Sequence, residues 1–507
     1  MYEYPIVCLQ TSTHCSEKDL VETNLYDEGA SPSIVVDLDG TLTPTDTLIE
    51  SIVQIIKKSP LNLLYLAFWL TKSKAAFKKT VALQANITAE HLPYFQPLQT
   101  YLRREKQKGR HIVLATAAHQ TIAQAISTYL DLFDDVLATD GRHNLKGKSK
   151  LEAIQEKIGE NFIYAGNSWD DLPIWKAAKG AILVGVSPSL AESVRRVVPI
   201  VQEFQKENHC VKNWLHALRV HQWLKNLLLF VPLLTSFSFM EGRKLLMIVV
   251  AFLAFSFTAS ATYIVNDLCD LENDRTHPRK RLRPFASAKI PILQGIIVAG
   301  CMLVLGCFLA LTVSENFFLM LLLYLALTSA YSWVLKQYAL IDVLVLSLLY
   351  IMRILAGSAA VEISTSSWLL VFSAFMFLSL ALVKRCSELV AFHQIGKEVL
   401  QGRDYRFTDL VVLWPLGLGS ALSALVVFGL FIDAPETQAC YATPHLLWFA
   451  AIGFIYWLAR VWIKTSRGEM HDDPVTYAIK DPGSRITIFA IIIMSLVARY
   501  FAYSLFS

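Results

Sequence analysis

The second half of the chain is a succession of long apolar runs separated by short polar segments, whereas the first 220 residues mix polar and apolar positions. A bilayer core requires about 20 mostly apolar residues per helix. This criterion predicts nine membrane-spanning helices near 222–239, 245–265, 290–312, 317–335, 340–360, 367–383, 409–432, 444–463 and 486–505. Residues 210–507 are therefore expected to form an all-α polytopic membrane domain.

The basic residues between these runs predict the orientation. If residues 1–221 lie in the cytosol, the cytosolic loops carry 17 Lys and Arg residues and the opposite loops carry two, Arg243 and Lys244. Loops rich in Lys and Arg stay on the cytosolic side. The first thirty residues also lack the apolar core of a signal peptide. We expect a multi-pass protein of a bacterial inner membrane with a cytosolic N-terminal domain.

The amino-acid composition agrees with a membrane protein and argues against a nucleic-acid-binding, zinc-binding or disulfide-rich protein. Apolar residues make up 54% of the 507 positions and charged residues 17%, below the roughly 25% of soluble domains. A net charge of +4 argues against nucleic acid as a partner. The eight cysteines form no C-x-x-C pair, so neither a zinc site nor a disulfide framework is indicated.

Three short apolar runs in the first half lead into polar residues. Residues 33–36 precede Asp37-Leu38-Asp39-Gly40-Thr41-Leu42, residues 111–115 precede Thr116, and residues 161–165 precede Gly166-Asn167-Ser168. Helical stretches lie between them, and such alternation predicts a parallel sheet with its site at the carboxyl ends of the strands. After an N-terminal extension at 1–29, residues 30–205 are therefore expected to form an α/β domain.

The ordered motifs D-x-D-G-T-L, Thr, G-x-x-K and G-N-S-x-D-D resemble the haloacid dehalogenase (HAD) superfamily. The resemblance implies a Rossmann-like phosphatase in which Asp37 is the nucleophile, Asp39 is the acid and base, and Thr116 and Lys150 bind the phosphoryl group. It also implies Mg²⁺ held by Asp37, the backbone carbonyl of Asp39, Asn167 and Asp171. Asn167 stands where many members have Asp, which removes one negative charge. The alternative is an inactive domain retained for docking.

A helical cap is expected at about 45–105, inserted between the first two motifs. Its apolar run at 60–70 is flanked by Lys57, Lys58 and Lys72 and is too short to span a bilayer. Two interpretations stay open. The run is buried inside the cap, or it rests on the membrane surface with its basic residues toward the lipid head groups.

A second acidic motif follows the second predicted span. Asp267, Asp270 and Asp274 stand at i, i+3 and i+7, so helical spacing places them on one face. Three like charges at a membrane boundary repel unless a cation neutralises them, and Mg²⁺ holding a diphosphate would do so. A solvated helix end is the alternative. The pattern N-D-x-x-D-x-x-x-D, which begins at Asn266, resembles the UbiA superfamily of intramembrane prenyltransferases over roughly residues 210–507.

Later residues narrow this resemblance. Arg281 in the segment 275–284, Tyr331 with Lys336 and Asp342, and Lys384 and Arg385 with Glu388 look like the branch that transfers phosphoribose from phosphoribosyl diphosphate to decaprenyl phosphate. The second aspartate-rich motif of the aromatic prenyltransferases is replaced by Lys384, Arg385 and one acid, which favours a basic clamp for a second phosphate.

Two further polar features of the membrane half each have two possible interpretations. Arg353 lies within a predicted span, three turns after Asp342, and is either a phosphate ligand or part of a helix–helix ion pair. The cluster at 471–474 is either a gate or an ordinary solvated loop.

Together these features predict a bifunctional, Mg²⁺-dependent membrane enzyme. We expect it to transfer phosphoribose from phosphoribosyl diphosphate to a polyprenyl phosphate and to dephosphorylate the product with the fused phosphatase. The expected partners are a polyprenyl lipid, a phosphorylated or diphosphate substrate, and membrane lipids. One alternative is a prenyl-diphosphate-dependent transferase with an accessory HAD domain. Another is a membrane-anchored phosphatase whose helices form only a lipid-binding scaffold.

Overall fold

The computed structural model describes residues 31–59, 61–69, 71, 74–85, 87–140, 144–206, 210–394, 403–470 and 473–501. The predicted N-terminal extension at 1–29 lies outside these ranges, as do Lys72, His471 and Asp472. In chain order, the part up to residue 206 forms β1 (Ser33–Val36), α1 (Thr47–Lys58), α2 (Asn62–Trp69), α3 (Lys74–Gln84), α4 (Gln96–Gln107), β2 (Ile112–His119), α5 (Gln120–Leu130), β3 (Asp135–Thr139), α6 (Lys148–Ile158), β4 (Phe162–Gly166), α7 (Leu172–Ala177), β5 (Gly180–Val184), α8 (Pro188–Arg195) and β6 (Ile200–Phe204).

The six strands form one parallel sheet with the order β3-β2-β1-β4-β5-β6. The central strands are fully buried because helices cover both faces of a parallel sheet, and their apolar residues therefore form continuous runs rather than alternating ones. Val35, Val113 and Tyr164 pack with Trp175 of α7 in one core. The predicted α/β Rossmann-like fold is confirmed, and the three apolar runs singled out in the sequence are β1, β2 and β4.

The remaining described residues are helical. They form α9 (Cys210–Ala217), α10 (Val231–Thr235), α11 (Gly242–Cys269), α12 (Leu271–Thr276), α13 (Ile292–Val313), α14 (Glu315–Trp333), α15 (Ile341–Val361), α16 (Ser367–Gln394), α17 (Leu410–Asp433), α18 (Pro435–Cys440), α19 (Leu447–Ser466), α20 (Pro474–Lys480) and α21 (Pro482–Tyr500). Short 3-10 helices lie at Val220–Phe230, Lys280–Leu282 and Leu335–Gln337. The predicted all-α membrane domain is confirmed.

Eight helices in the described part of the chain are long and apolar enough to cross a membrane, one fewer than the nine predicted. They are α11, α13, α14, α15, α16, α17, α19 and α21. The missing one is the first predicted span, 222–239, where the structure has the 3-10 helix Val220–Phe230 followed by the short helix α10. Lys225 and Asn226 are buried in this stretch, Pro232 lies in the first turn of α10, and Phe237 has a positive φ of 56°. The apolar run is therefore not one continuous helix.

The same stretch nevertheless runs from one end of the helical bundle to the other. Arg219, directly before it, contacts Asp267 at the carboxyl end of α11. The stretch then leads into Gly242, the first residue of α11. Because 28 helical residues rise about 42 Å, the chain covers that length in a 3-10 helix, the short helix α10 and the turns that follow it, rather than in one continuous α-helix. The alternation of helix directions is therefore the one expected from nine crossings.

Contacts divide the chain into two units, and the division passes through the first half. One unit contains residues up to Leu42, Gln96–Thr139 and His143–Gln205, and thus the whole sheet. The other contains Thr43–Phe95 together with the membrane helices. The three helices of the insert, α1 to α3, therefore group with the membrane part of the chain.

A buried ion pair and an apolar contact hold the insert within this second unit. Glu50 of α1 accepts two hydrogen bonds from the guanidinium of Arg275 of α12, at 2.6 and 2.9 Å, and both side chains are less than 10% exposed. Val53 of α1 belongs to the same apolar core as Leu268 and Leu271. Removal of one partner of such a buried pair would cost about 3–5 kcal/mol, because the remaining charge would stay buried and unpaired.

Thiol labelling in sealed vesicles or intact cells tests the expected orientation. Cys440 is an exposed native cysteine of α18, and Gln337 is exposed in the 3-10 helix that follows α14. In a variant that keeps Cys440 as its sole cysteine, an impermeant maleimide should react from outside the cytosol. With Cys440→Ser and Gln337→Cys in the same background, it should react only from the cytosolic side. Both thiols should react after solubilisation in detergent, and the reverse pattern of sidedness would contradict the expected orientation.

Candidate functional sites

The first site lies where the carboxyl ends of neighbouring parallel strands meet. β1 pairs with β2 on one side and with β4 on the other. Asp37 follows β1 directly, and Asn167 follows β4 directly. Thr116 lies inside β2, which extends four residues beyond the apolar run at 111–115. Lys150, from the first turn of α6, completes the group. The sheet thus brings four separate sequence motifs to one edge.

The centre of this site is an ion pair between Asp37 and Lys150. The Lys150 ammonium lies 2.9 Å from Oδ1 of Asp37 and donates a second hydrogen bond to the Tyr164 hydroxyl at 3.1 Å. Lys150 is 4% exposed and Asp37 is 8% exposed. Because both groups are removed from water, the charge of each is stabilised mainly by the other. Lys146 instead pairs with the exposed Asp170, which leaves Lys150 as the lysine of this segment that contacts the predicted nucleophile.

Burial and neighbouring charges shift the pKa values here. Burial raises the pKa of the Asp37 carboxyl; Lys150 counteracts this effect, and Asp171 adds to it. Burial by itself would lower the pKa of Lys150, but the carboxylates of Asp37 and Asp171 outweigh it and raise that pKa. The lysine is therefore held in its charged form beside the carboxyl of Asp37, the predicted nucleophile.

Asp171 organises the loop that carries Asn167. Its Oδ2 accepts hydrogen bonds from the backbone amides of Asn167 and Ser168 and from the Ser168 hydroxyl, at 3.0 to 3.1 Å. Its Oδ1 accepts one from Tyr164 at 2.8 Å. Both oxygens of Asp171 are thus engaged, and a metal ligand role for Asp171 stays a prediction.

The remaining oxygen donors fit Mg²⁺. The Asn167 amide lies so close to Gly40 that a Cβ at Gly40 would approach its nitrogen to 2.2 Å, and its oxygen accepts a hydrogen bond from Thr41 at 3.3 Å. Carboxylate, amide and backbone oxygens are the donors that this hard cation prefers. Asp37, the carbonyl of Asp39 and Asn167 would hold it. The carboxylate of Asp39 is near enough to contribute to the raised pKa of Lys150, and the Thr116 hydroxyl, fully buried, accepts the Ala118 amide at 3.0 Å.

The second site is formed by the aspartates at the end of α11. The expected single helical face is interrupted, because α11 ends at Cys269, Asp270 has a non-helical backbone (φ −99°, ψ 11°), and α12 begins at Leu271. Asp267 and Asp274 nevertheless converge, since both accept hydrogen bonds from Nη1 of Arg283, at 3.1 and 2.6 Å. Arg219 also pairs with Asp267.

This convergence is an arrangement that a divalent cation can use. Two carboxylates of 4% and 2% exposure accept hydrogen bonds from the same nitrogen of Arg283. Asp270 lies between them in sequence and is half-buried. Within the residues that the structure describes, no three Asp, Glu, His or Cys side chains are grouped closely enough to hold a metal. Arg283 and Arg219 compensate the charges instead. The oxygen donors fit Mg²⁺, with Asp267 and Asp274 as the residues that would hold it.

Three other predicted ligands lie at this end of the bundle without joining the carboxylates. Asn266 donates a hydrogen bond to Ser332 at 3.1 Å. Arg281 is exposed in the 3-10 helix Lys280–Leu282, and Lys336 is half-buried in the 3-10 helix Leu335–Gln337. Their predicted roles in substrate binding stay predictions.

Tyr331 and Arg385 belong to a closed ionic network. Arg385 is 0% exposed, and its guanidinium lies 2.7 Å from Asp342, which also accepts the Tyr331 hydroxyl at 2.8 Å. Glu388 pairs with Arg385 and, at 2.6 Å, with Arg403. Two carboxylates therefore balance two guanidinium groups, and the network carries no net charge for a substrate to neutralise.

Lys384 and Arg353 belong to a different cluster, which has more positive than negative charge. Asp473 accepts hydrogen bonds from Lys225 at 2.8 Å and from Tyr350 at 3.3 Å, and it lies 3.4 Å from Lys384. The Arg353 guanidinium lies 5.5 Å from the centre of the Tyr350 ring. We name this the cationic cluster (Lys225, Arg353, Lys384, Asp473 and Tyr350).

Arg353 is held in the cationic cluster by neutral groups. It donates hydrogen bonds to Asn226 at 3.1 Å and to Tyr324 at 2.9 Å. The cluster therefore contains three cations and one carboxylate, all less than one third exposed. Buried charge of one sign is costly unless it is paired, so this excess of positive charge makes the cluster a candidate site for an anion.

Sequence reasoning missed Arg219, Arg283, Lys225 and Asp473. The signal for Lys225 was present, because a lysine inside a predicted apolar span is a functional candidate. Asp473 was weighed only as part of a gate or solvated loop, and the structure shows it buried in side-chain contacts with Lys225 and Lys384. Arg219 and Arg283 gave no such signal, since they are two of many basic residues near the expected cytosolic boundary.

Comparison with known proteins is consistent with both sites. Residues 229–480 match the UbiA prenyltransferase family, and residues 34–176 match the haloacid dehalogenase-like hydrolase family. The chain is 39% identical to the uncharacterized protein y4nM of Sinorhizobium fredii over 89% of this chain and 88% of that protein.

Two shorter matches have names that mention a function. Nodulation protein NoeC of Azorhizobium caulinodans is 34% identical over 55% of this chain and 90% of its own length. Decaprenyl-phosphate phosphoribosyltransferase of Mycolicibacterium smegmatis is 30% identical over 58% of this chain and 94% of its own length.

Substitution of Lys150 tests the electrostatic role of the ion pair. Lys150→Met should lower phosphatase activity and move the acidic limb of its pH profile to higher pH, because loss of the cation raises the pKa of Asp37 further. The acidic limb reports the proton on the nucleophile, so activity falls as pH decreases through that pKa. The measurement is hydrolysis of p-nitrophenyl phosphate by the full chain against pH. Lys146→Met is the matched control, and an unshifted limb in Lys150→Met would contradict the assignment.

Substitution of the paired aspartates tests the second site. Asp267→Asn and Asp274→Asn should each reduce transferase turnover by about 100-fold or more, because the site loses a charge needed to hold a cation against the leaving group. Glu241→Gln, an exposed acid before the opposite end of α11, should behave as wild type. Turnover is measured as lipid product per purified protein. Thermal unfolding is measured in parallel, and near-normal turnover in both aspartate variants would eliminate this site.

Proposed function

Because the chain belongs to the UbiA prenyltransferase family and also contains a haloacid dehalogenase-like hydrolase domain, we propose that it makes a lipid-linked sugar phosphate and then dephosphorylates it. The membrane part transfers phosphoribose from phosphoribosyl diphosphate to a polyprenyl phosphate. The hydrolase part removes the 5-phosphate of the transferred ribose. The product is a polyprenyl-phosphoribose.

The observation that carries this proposal is the charge of the cationic cluster. Lys225, Lys384 and Arg353 share one carboxylate, Asp473. A lipid phosphate carries negative charge that this cluster can neutralise. A neutral aromatic acceptor carries no such charge and would not require the cluster. The name of the Mycolicibacterium smegmatis relative supports the same pair of substrates.

The transfer step exchanges one bond at the anomeric carbon of the donor. A phosphate oxygen of the lipid forms a bond to this carbon, and the carbon–oxygen bond to the diphosphate breaks, so the diphosphate leaves with the electron pair. Mg²⁺ held by Asp267 and Asp274 would neutralise the charge of the leaving group. Arg283 and Arg219, which already contact these aspartates, are placed to bind diphosphate oxygens. The cationic cluster orients the attacking phosphate.

The hydrolysis step uses the residues at the edge of the sheet. Asp37 attacks the phosphorus of the ribose 5-phosphate, and Asp39 protonates the oxygen of the leaving ribose. Asp39 then removes a proton from the water that cleaves the aspartyl-phosphate. Lys150 pairs with the nucleophile throughout, and Mg²⁺ at this site would compensate phosphoryl charge. Loss of the phosphate makes the overall conversion effectively irreversible.

A labelled-donor assay with the Asp37→Asn variant tests both halves of the proposal. The wild-type chain, given labelled phosphoribosyl diphosphate and polyprenyl phosphate, should produce a labelled lipid without the 5-phosphate. Asp37→Asn preserves the size of the side chain but removes the nucleophile, so it should accumulate lipid-linked ribose 5-phosphate, which differs by the mass of one phosphate. Asp170→Asn, at an exposed neighbouring acid, is the control.

Each alternative function gives a different outcome in this assay. Label transfer from a prenyl diphosphate to an aromatic acceptor, with none from phosphoribosyl diphosphate, would overturn the proposed transferase reaction. The same final lipid from Asp37→Asn and wild type would show that the hydrolase acts on another phosphate. Loss of transfer in Asp37→Asn would show that the two reactions depend on each other.

A further inference from the structure

Helix α2 of the insert exposes large apolar side chains that a water-facing helix would bury. Leu61, directly before α2, and Leu63, Leu64, Tyr65 and Phe68 within it are 59 to 71% exposed, and we name these five residues the α2 patch. Leu66 is the exception at 4% exposure, because it packs with Ile55, Phe77 and Val81 in the small core of the insert. Helix α2 therefore packs against α1 and α3 through one narrow face and leaves the α2 patch exposed. A contiguous exposed apolar patch of this kind indicates a binding surface.

The insert is fixed to the ends of two membrane-length helices. Helix α1 contacts both α11 and α13, and the Glu50–Arg275 ion pair joins it to α12, directly after Asp274. His91, at the other end of the insert, lies 3.2 Å from Glu272 of α12. Helix α2 packs on α1. Helix α1 thus separates the α2 patch from the side of the bundle where α11 ends and α13 begins.

The lipid-facing surface of α13 begins at that same end. Leu293 and Ile297, in its first two turns, are 51 and 56% exposed, and α13 is one of the helices long and apolar enough to cross a membrane. Exposed apolar side chains on a membrane-length helix face acyl chains. The hydrocarbon boundary therefore lies next to the segment on which α1 is docked.

The charge of the insert matches an anionic lipid surface. Between Glu50 and Glu90 the sequence contains six lysines and neither Asp nor Glu. Among the described lysines, Lys57 and Lys58 at the end of α1 and Lys79 of α3 are exposed. Apolar side chains combined with lysines and no acids are typical of segments that lie in the interface of a negatively charged membrane.

We propose that α2 lies in the membrane interface, with the α2 patch at the acyl-chain boundary and the neighbouring lysines on anionic lipid head groups. The partner is the bilayer that surrounds the membrane helices of the same chain. The insert of the phosphatase is then a second, peripheral membrane contact. A second copy of the chain is the competing occupant of the patch, and the experiment below distinguishes the two.

Site-specific photocrosslinking of the full chain in lipid nanodiscs tests this contact. p-Benzoylphenylalanine replaces Leu64 of the patch or, as the matched control, Tyr129, a 49% exposed aromatic residue of α5 with polar neighbours. The probe at Leu64 should crosslink to phospholipid with a yield at least five-fold above that at Tyr129, measured by mass spectrometry of the tryptic peptides. Equal lipid yields at the two positions, or crosslinks from Leu64 mainly to another protein chain, would overturn the proposal.

The head-group part of the proposal is tested with discs of two compositions. The lipid yield from Leu64 should be at least two-fold higher in discs with phosphatidylglycerol than in discs of phosphatidylcholine alone. Lys57→Gln combined with Lys79→Gln should abolish this difference while leaving the yield in phosphatidylcholine unchanged. A yield that does not depend on the head-group charge would overturn the role of the lysines, and p-nitrophenyl phosphate hydrolysis by each variant verifies that the chain is folded.

Discussion

The contact of Arg283 with both Asp267 and Asp274 is the interaction on which the membrane site depends. These carboxylates are almost fully buried, and two like charges this close would repel without a cation between them. The backbone break at Asp270 separates α12 from α11, and Arg283, which follows α12 in the chain, donates hydrogen bonds to both acids. Arg219 adds a second contact from the preceding segment. The result is a pair of acids held in position before any substrate or metal binds.

The balance of charge distinguishes structural clusters from candidate binding clusters elsewhere in the molecule. Asp342, Glu388, Arg385 and Arg403 cancel one another, which is what a helix–helix contact in a membrane requires. The cationic cluster around Asp473 does not cancel. Lys384 and Arg385 are adjacent in sequence, yet the structure assigns them to different clusters. Two adjacent basic residues thus belong to two networks, one with balanced charges and one with an excess of positive charge.

The sequence predicted the elements that depend on local pattern. β1 and β4 were located within about one residue, and eight of the predicted spans correspond to long helices, because apolar runs of these lengths have few alternative structures. The Asp37 and Lys150 positions followed from motif spacing, and the structure places the two side chains in contact.

Tertiary contacts determine the features that the sequence did not reveal. The crossing between Arg219 and Gly242 is irregular because Lys225 and Asn226 form hydrogen bonds with distant residues, and hydropathy alone gives no information on those partners. The break at Asp270 has no glycine or proline to mark it. Arg219 and Arg283 are ordinary basic residues until the fold places them beside the aspartates.

The insertion of α1 to α3 between two segments of the sheet has a consequence for biosynthesis. Glu50 leaves the ribosome 225 residues before its partner Arg275, which at typical elongation rates corresponds to roughly 10–45 s. During that interval the insert has no membrane helices to dock on, and its acid and Val53 surface face solvent. The order of assembly therefore cannot be strictly from N-terminus to C-terminus. The insert completes its contacts with α11 and α12 only after those helices have been synthesised.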